Sequence, residues 1–193
     1  YKKGKYKPYS KEETEKLIIR IMKIIPNYCR VMRVMREIPP DYLVAGTTRI
    51  DLRKDIDEEL KKLRNKINEI RSREIGFALR DKKPKEKIDN NIKLKITEYK
   101  ASGGDEYFLE FINKDNILFG LCRLRIFDKN NKLNVFIREL HVYGQALSLG
   151  EKGKSFGQHL GLGKQLLKKA EEIAKENKIK EMKIISGVGV REY

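Results

Sequence analysis

The chain has 193 residues, with 44 Lys+Arg against 28 Asp+Glu, a formal net charge of +16 and an apolar content of 39%, enough to build a core. Charged residues reach 37%, but both signs are interleaved and the apolar positions stay periodic, which excludes a wholly disordered chain. No stretch approaches the roughly 20 apolar residues of a membrane span, and the two lone cysteines, Cys29 and Cys122, exclude a disulfide framework, a structural zinc site or an iron–sulfur cluster built from this chain alone. The N-terminal YKKGKYKPYS also lacks the apolar core of a signal peptide, so a soluble protein of a reducing, cytoplasmic compartment is expected, with no membrane partner.

Residues 1–38 hold 11 Lys/Arg against 4 Asp/Glu, a net of +7 in about a fifth of the chain. Such an excess favours polyanions through counterion release, with nucleic acid first and an anionic lipid surface second; a lysine-rich, heat-adapted surface gives the same composition. Ser10-Lys11-Glu12-Glu13 forms a capping box, after which Leu17, Ile18, Ile21, Met22 and Ile25 share one helical stripe until Pro26 ends it. Residues 28–36 (YCRVMRVMR) repeat Arg30, Arg33 and Arg36 with two apolar residues between each pair. A helix would put all three on one face and a strand would split them, so their geometry is open. A second helix is predicted from Leu52, Ile56, Leu60, Leu63, Ile67 and Ile70, with acids clustered at its start.

A boundary follows near 76–91, where Gly76 precedes the charged run RDKKPKEKIDNN, a predicted linker or exposed loop. Beyond it, strand-like runs at 92–99, 106–112, 117–127 and 133–143 are divided by ASGGD, NKDN and DKNNK, which predicts a four-stranded antiparallel meander. A glycine-rich loop (SLGEKGKSFGQHLGLG) then leads into a helix at 163–177 with Leu166, Leu167, Ala170, Ile173 and Ala174 inward, and EMKIISGVGV reads as a short last strand. The informative stretch is Gln158-His159-Leu160-Gly161-Leu162-Gly163-Lys164 at that helix start. A Q-x-x-G-x-G turn there lets backbone N–H groups converge on a pyrophosphate, with the helix dipole favouring its charge. Neither GxGxxG nor GxxxxGK[ST] is present, which excludes a dinucleotide fold or a P-loop; Gly161 and Gly163 forming a plain turn is the competing reading.

Together these elements resemble the acetyl-coenzyme A-binding half of a GCN5-related N-acetyltransferase (GNAT). More closely, RELHVYG, FGQHLGLGKQLLKKAEEIA and KIISGVGVREY look like the acetyltransferase domain of the catalytic third subunit of the Elongator complex, a family that modifies the wobble uridine of tRNA. YKPYSKEE, the 26–39 run, LVAG at 43–46 and SREIG at 72–76 are similar to the tail of that family's radical S-adenosylmethionine (SAM) domain. The resemblance implies an α/β (α+β) architecture: a barrel-like helix and strand segment with the connector over 1–76, then a GNAT-like, mostly antiparallel sheet over 77–193. It implies acetyl-CoA as cofactor, with S-adenosylmethionine and a 4Fe–4S cluster in the complete enzyme, tRNA as partner, and self-association or other complex subunits. Three departures stand against it: the three-cysteine cluster motif is absent, the connector KLRNKINEIRS has no cysteine for a zinc site, and the chain stops at Tyr193, the first of a family tyrosine pair, as a fragment cut at both ends would.

By this resemblance, Glu139, Leu140, His141 and Val142 line the acetyl end, and Gln158, His159, Leu160, Gly161, Leu162, Gly163 and Lys164 hold the pyrophosphate. Strand alternation places Glu139 and His141 on one face and Leu140 and Val142 on the other, so the side chains of only one pair enter the site. Glu139 is a candidate general base or polariser, or a solvated carboxylate; His141 is a catalytic or a structural candidate; Tyr193 matches a tyrosine beside the one expected to protonate the leaving thiolate. Arg30, Arg33 and Arg36, with Lys2, Lys3, Lys5 and Lys7 and the interleaved Tyr1, Tyr6, Tyr9 and Tyr28, are the candidate tRNA contacts, because charge with aromatic stacking suits a single-stranded anticodon loop; the alternative is that the arginines pair with acids of the missing domain. A tRNA wobble-uridine acetyltransferase giving a carboxymethyl-type product is the leading expectation. A lysine acetyltransferase acting on a basic protein and an RNA-binding module with an inactive coenzyme site are the competitors.

Overall fold

The computed structural model of the chain describes residues 3–36, 38–46, 52–62, 67–81, 88–89, 91–143 and 161–187. The chain divides into two compact units, Tyr1–Ser72 and Arg73–Tyr193.

The first unit begins with α1 (Lys11–Ile24), capped as its sequence requires: the Glu13 N–H donates to Ser10 Oγ at 3.2 Å and the Ser10 N–H donates to the Glu13 carboxylate at 2.7 Å. Met22 of α1 packs with Leu52, Ile56 and Leu60 of α2 (Leu52–Lys62), and all four are essentially inaccessible. The expected α1 stripe is turned relative to this core: Ile18 and Ile25 line it, while Leu17 and Ile21 are exposed. The predicted long second helix is interrupted as well. Ile67 and Asn68 are not helical, and helix resumes as the short α3 (Ile70–Arg73). Leu63 lies outside the described residues. Residues 28–36 form neither helix nor strand; Val31, Val34 and Met35 turn into the core between the arginine positions.

In the second unit, the segment expected to be a linker starts as a helix, α4 (Ile75–Asp81), whose Ile75 is fully buried; Ile88 beyond it is also in the core. The meander is as expected, with β1 (Lys93–Ala101), β2 (Gly104–Ile112), β3 (Leu118–Lys129) and β4 (Lys132–Val142) neighbouring in chain order and antiparallel. Ser102-Gly103 and Asn130-Asn131 close the first and last hairpins with both residues of each pair at φ between 47° and 71°, a conformation that Gly and Asn adopt cheaply. At Gly104 a Cβ would meet Ile126 O at 2.8 Å and Phe127 Cβ at 2.9 Å, so the β2–β3 approach requires glycine. A short β5 (Lys183–Ile184) pairs parallel with β4, completing a five-stranded sheet. One sheet face is covered by α5 (Leu162–Glu176), which buries Leu162, Leu166, Ala170, Ile173 and Ala174 against Leu109, Cys122, Leu124, Val135 and Ile137.

The register of β4 shifts once. Leu124 faces Ile137 and Arg123 faces Glu139, so Arg138 is an extra residue with no opposite number on β3. Before it Val135 and Ile137 point into the core; after it the inward positions become Leu140 and Val142.

The buried Cys122 has no accessible surface, and burial, reinforced by the nearby Glu139 charge, pushes its thiol up to about 12. Cys29 is half-buried. Iodoacetamide at pH 8 should therefore label Cys29 but not Cys122 in the native protein, and both once it is denatured; mass spectrometry of tryptic peptides reads the difference. Labelling of native Cys122 would mean that the core over β3 opens readily.

Candidate functional site

Hydrogen-bond alternation along β4 defines the first site. The Tyr143 N–H donates to Phe119 O at 2.8 Å, so the alternate residues His141 and Glu139 also direct their main-chain groups to β3, and Leu140 and Val142 direct theirs to the opposite side. On that side β5 pairs only with Phe136 and Ile137, its last link being the Ile185 N–H to Ile137 O at 3.1 Å. Beyond the extra residue, the Leu140 and Val142 amides thus face a side that described β5 residues have left.

The start of α5 lies at the same end of β4. A Cβ placed on Gly163 would sit 3.6 Å from Val142 Cγ2, and one on Gly120 would sit 3.5 Å from Leu166 Cδ1. Gly161 is the N-cap, left-handed at φ 60° and ψ 29°, with no side chain of its own to satisfy the first-turn amides and no atom of the described residues within 4 Å of where its Cβ would be. Those uncapped N–H groups carry the positive end of the helix dipole. A depression of about 360 Å³ opens beside Val142 and Tyr143, with Glu74, Gly76, Phe77 and Arg80 on its wall and the Arg80 guanidinium 4.7 Å from the Phe77 ring centroid.

The structure therefore brings together Leu140, Val142, Gly161, Leu162, Gly163 and Lys164. Gln158, His159, Leu160 and Tyr193 lie outside the described residues. Glu139 and His141 occupy the opposite sheet face, where Glu139 accepts from Arg123 Nε and Nη2 at 3.3 Å each and sits 3.2 Å from His141 Nε2. Arg123 in turn donates to the Tyr99 hydroxyl at 2.7 Å, and the His141 ring stacks on Tyr143. Glu139 is thus engaged by an arginine rather than solvated.

That face carries charge which sequence reasoning passed over. Glu106 and Glu110, both buried, flank the buried Phe108 on β2. Arg125 and Arg138 both reach Glu106 Oε1, at 2.7 and 2.8 Å; Arg73 and Lys95 both reach Glu110, at 2.7 and 3.5 Å. The signal was available: arginines at 123 and 125 and acids at 106 and 110 recur at the two-residue period of a single strand face.

In the first unit, Lys3, Lys5, Lys7, Tyr6 and Tyr9 are exposed, as are Arg33 and Arg36, whereas Arg30 and Tyr28 are half-buried. The arginine segment is held from beneath. The Ile70 N–H donates to Cys29 O at 2.9 Å, the Val31 N–H to Glu69 at 3.2 Å, Arg53 to Val31 O at 3.1 Å and Arg71 to Met32 O at 3.4 Å. Glu69 is fully buried and also accepts from Arg53 at 2.6 Å, the Arg71 N–H at 3.0 Å, the Ser72 N–H at 2.8 Å and Ser72 Oγ at 2.5 Å. Burial by itself would raise its pKa; hydrogen bonds from Ser72, Val31 and Arg53 outweigh that and hold the carboxyl below its ordinary 4.5.

No described group of three His, Cys, Asp or Glu side chains is arranged to hold a metal ion. With two cysteines in all, one of them sealed in the sheet core, the chain does not fit an iron–sulfur cluster as sole ligand source. No described helix is long and apolar enough to cross a membrane.

Comparison with known proteins gives a consistent picture. Residues 1–62 match the Radical_SAM C-terminal domain family. The whole chain aligns with the tRNA uridine(34) acetyltransferase of Dehalococcoides mccartyi (strain CBDB1) at 39% identity, covering 43% of that protein. It aligns with Elongator complex protein 3 of Schizosaccharomyces pombe at 36%, covering 37%. Among solved structures, the archaeal Methanocaldococcus infernus Elp3 with an N-terminal deletion matches all of the chain with a TM-score of 0.83 at 36% identity, and 47% of that chain is covered. The chain thus spans less than half the length of these relatives.

Because the folded state holds Glu69 ionised more readily than the unfolded chain does, its contribution to stability is complete above about pH 4.5 and is lost as pH falls through the lowered folded value. Glu69→Gln should destabilise the protein by roughly 3 kcal/mol at pH 7, since a neutral amide in this fully buried site loses the charge-assisted bonds from Arg53, Val31 and Ser72 although Arg53 keeps Asp57, and should flatten the acid limb of a melting-temperature profile. A variant with the wild-type acid limb would assign that limb to other carboxylates.

Proposed function

We propose that this chain, which is related over its whole length to the Elongator third-subunit family, forms the acetyl-CoA-binding part and a portion of the tRNA-binding surface of a tRNA wobble-uridine acetyltransferase. The single observation that carries the reading is the end of β4: two outward main-chain donors beside an uncapped helix start, in a chain matched end to end by enzymes of that name. Acetyl-CoA fits this donor set because its pyrophosphate needs several N–H groups at one point and its thioester arm needs an open strand edge. When bound, it would supply an activated acetyl group, whose two carbons would provide the carboxymethyl unit of the product in the complete enzyme.

In this reading the second unit is a GNAT-like domain and the first the tail of a radical SAM domain. The first-turn amides from Leu162 to Lys164 bind the pyrophosphate, with the Lys164 ammonium adding positive charge. The Leu140 and Val142 N–H groups orient the coenzyme arm and polarise its carbonyls, while their side chains seal the core side. Glu139, fixed by Arg123, orients His141 at the strand's far face and does not act as a free base. Lys3, Lys5, Lys7 and the Arg30, Arg33 and Arg36 series bind tRNA phosphates, with Tyr6 and Tyr9 offering rings for unstacked bases. This assignment favours tRNA over a peptide acceptor because the exposed cations and rings lie together in one short segment.

Calorimetry with acetyl-CoA tests the coenzyme half. Gly161→Asp and Gly163→Asp should each weaken binding at least tenfold, on the order of the 1.4 kcal/mol expected from a carboxylate facing a pyrophosphate. Both sites have room for a side chain, and Asp tolerates the left-handed conformation at 161, so folding survives. Undiminished affinity would make this loop a simple turn. For the tRNA half, affinity should fall by roughly two to three orders of magnitude between about 50 and 200 mM salt, as six phosphate contacts require, and a flat response would remove nucleic acid from the reading.

A further inference from the structure

Val31 lies in a segment with no strand partner, yet both of its main-chain groups are bonded. Its N–H donates to Glu69 and its carbonyl accepts from Arg53, and these two side chains are themselves joined at 2.6 Å. A salt bridge therefore performs for Val31 what a neighbouring strand would do. With the bonds to Cys29 O and Met32 O on either side, three of the four residues of the 29–32 stretch, Cys29, Val31 and Met32, are pinned at the main chain. Arg30 lies inside the pinned stretch and Arg33 immediately after it. A buried carboxylate is a costly way to hold a surface segment when apolar packing by Val31, Val34 and Met35 is already present. What the carboxylate adds is a single main-chain geometry.

We infer that Glu69, acting with Arg53, is a positioning residue for tRNA binding: it holds the 29–32 stretch so that Arg30 and Arg33 meet phosphates already ordered. The inference rests on the tRNA reading of those arginines given above. Its physical basis is preorganisation: a loose segment would have to be ordered on each encounter, and that cost would be subtracted from the affinity. Glu69 itself touches no ligand and repels a polyanion, so loss of its charge alone would strengthen binding slightly. Weakening on neutralisation is therefore the opposite of what simple electrostatics expects.

The test is a double-mutant cycle in the full chain, with bulk tRNA as probe and acetyl-CoA affinity as control. Glu69→Gln should weaken tRNA binding about tenfold with acetyl-CoA binding unchanged, and the same substitution should have little effect in a background already carrying Arg30→Ala and Arg33→Ala. If the arginine double variant binds tRNA like the wild type, the underlying tRNA assignment fails. If the arginines matter but Glu69→Gln has no effect, or weakens binding equally in both backgrounds, the positioning role is overturned while the tRNA assignment stands. Should Glu69→Gln lose its helical circular dichroism, Ser72→Ala replaces it in the same cycle; it removes one donor to Glu69 and keeps the ion pair, and about a threefold loss confined to the background with both arginines is expected.

Discussion

One extra residue in β4 decides where this molecule offers a site. At Phe136 and Ile137 the strand is shared on both edges, by β3 and by β5; at Arg138 the register shifts, and after it only β3 remains a partner among the described strands. The shift reverses which positions face α5, so Leu140 and Val142 continue the packing that Val135 and Ile137 began while their amides turn to the open edge. A regular strand would keep Glu139 and His141 on the core side and bury two polar side chains. The bulge resolves that conflict and turns main-chain donors away from β3 in the same step.

The opposite face of the sheet is organised by charge. Arg138, the extra residue itself, reaches Glu106, as does Arg125, whose guanidinium also donates to Ala101 O and Ser102 O at the first hairpin. Glu110 is shared by Arg73 and Lys95. Buried carboxylates of this kind are tolerated because each has a cation within contact distance, and removing one partner costs far more than the pair contributes. The first unit uses the same device at Glu69 and Arg53. In both units a buried acid fixes strongly basic chain in place, which lets a molecule of net charge +16 direct its remaining cations outward.

Much of this was legible in the residues. Turn residues at ASGGD and DKNNK divided the meander correctly, the capping box located α1, and the apolar spacing of α5 identified its buried side. The resemblance to the Elongator third-subunit family was legible from RELHVYG, the Q-x-x-G-x-G turn and GVGVREY, and proteins of that name are similar over the whole of this chain, which spans less than half of theirs. The helix over Ile75–Asp81, where a linker or exposed loop was expected to begin, was not legible because the high density of charge obscured Ile75 and Ile88, which the core requires. The arginine triplet could not be placed by period, since its geometry is set by Glu69, Arg53 and Arg71, residues 16 to 39 positions distant from their partners. The bulge was invisible for a related reason: strict alternation over NVFIRELHV holds only if every residue has an opposite number.

Residue-resolved hydrogen exchange of β4 tests the central claim most directly. In the free protein the Glu139 and His141 amides, bonded to β3, should exchange slowly and the Leu140 and Val142 amides faster; saturating acetyl-CoA should slow Leu140 and Val142 selectively. Bound coenzyme that leaves those two amides unprotected would contradict the account, because the open edge of β4 would then not be where the coenzyme lies.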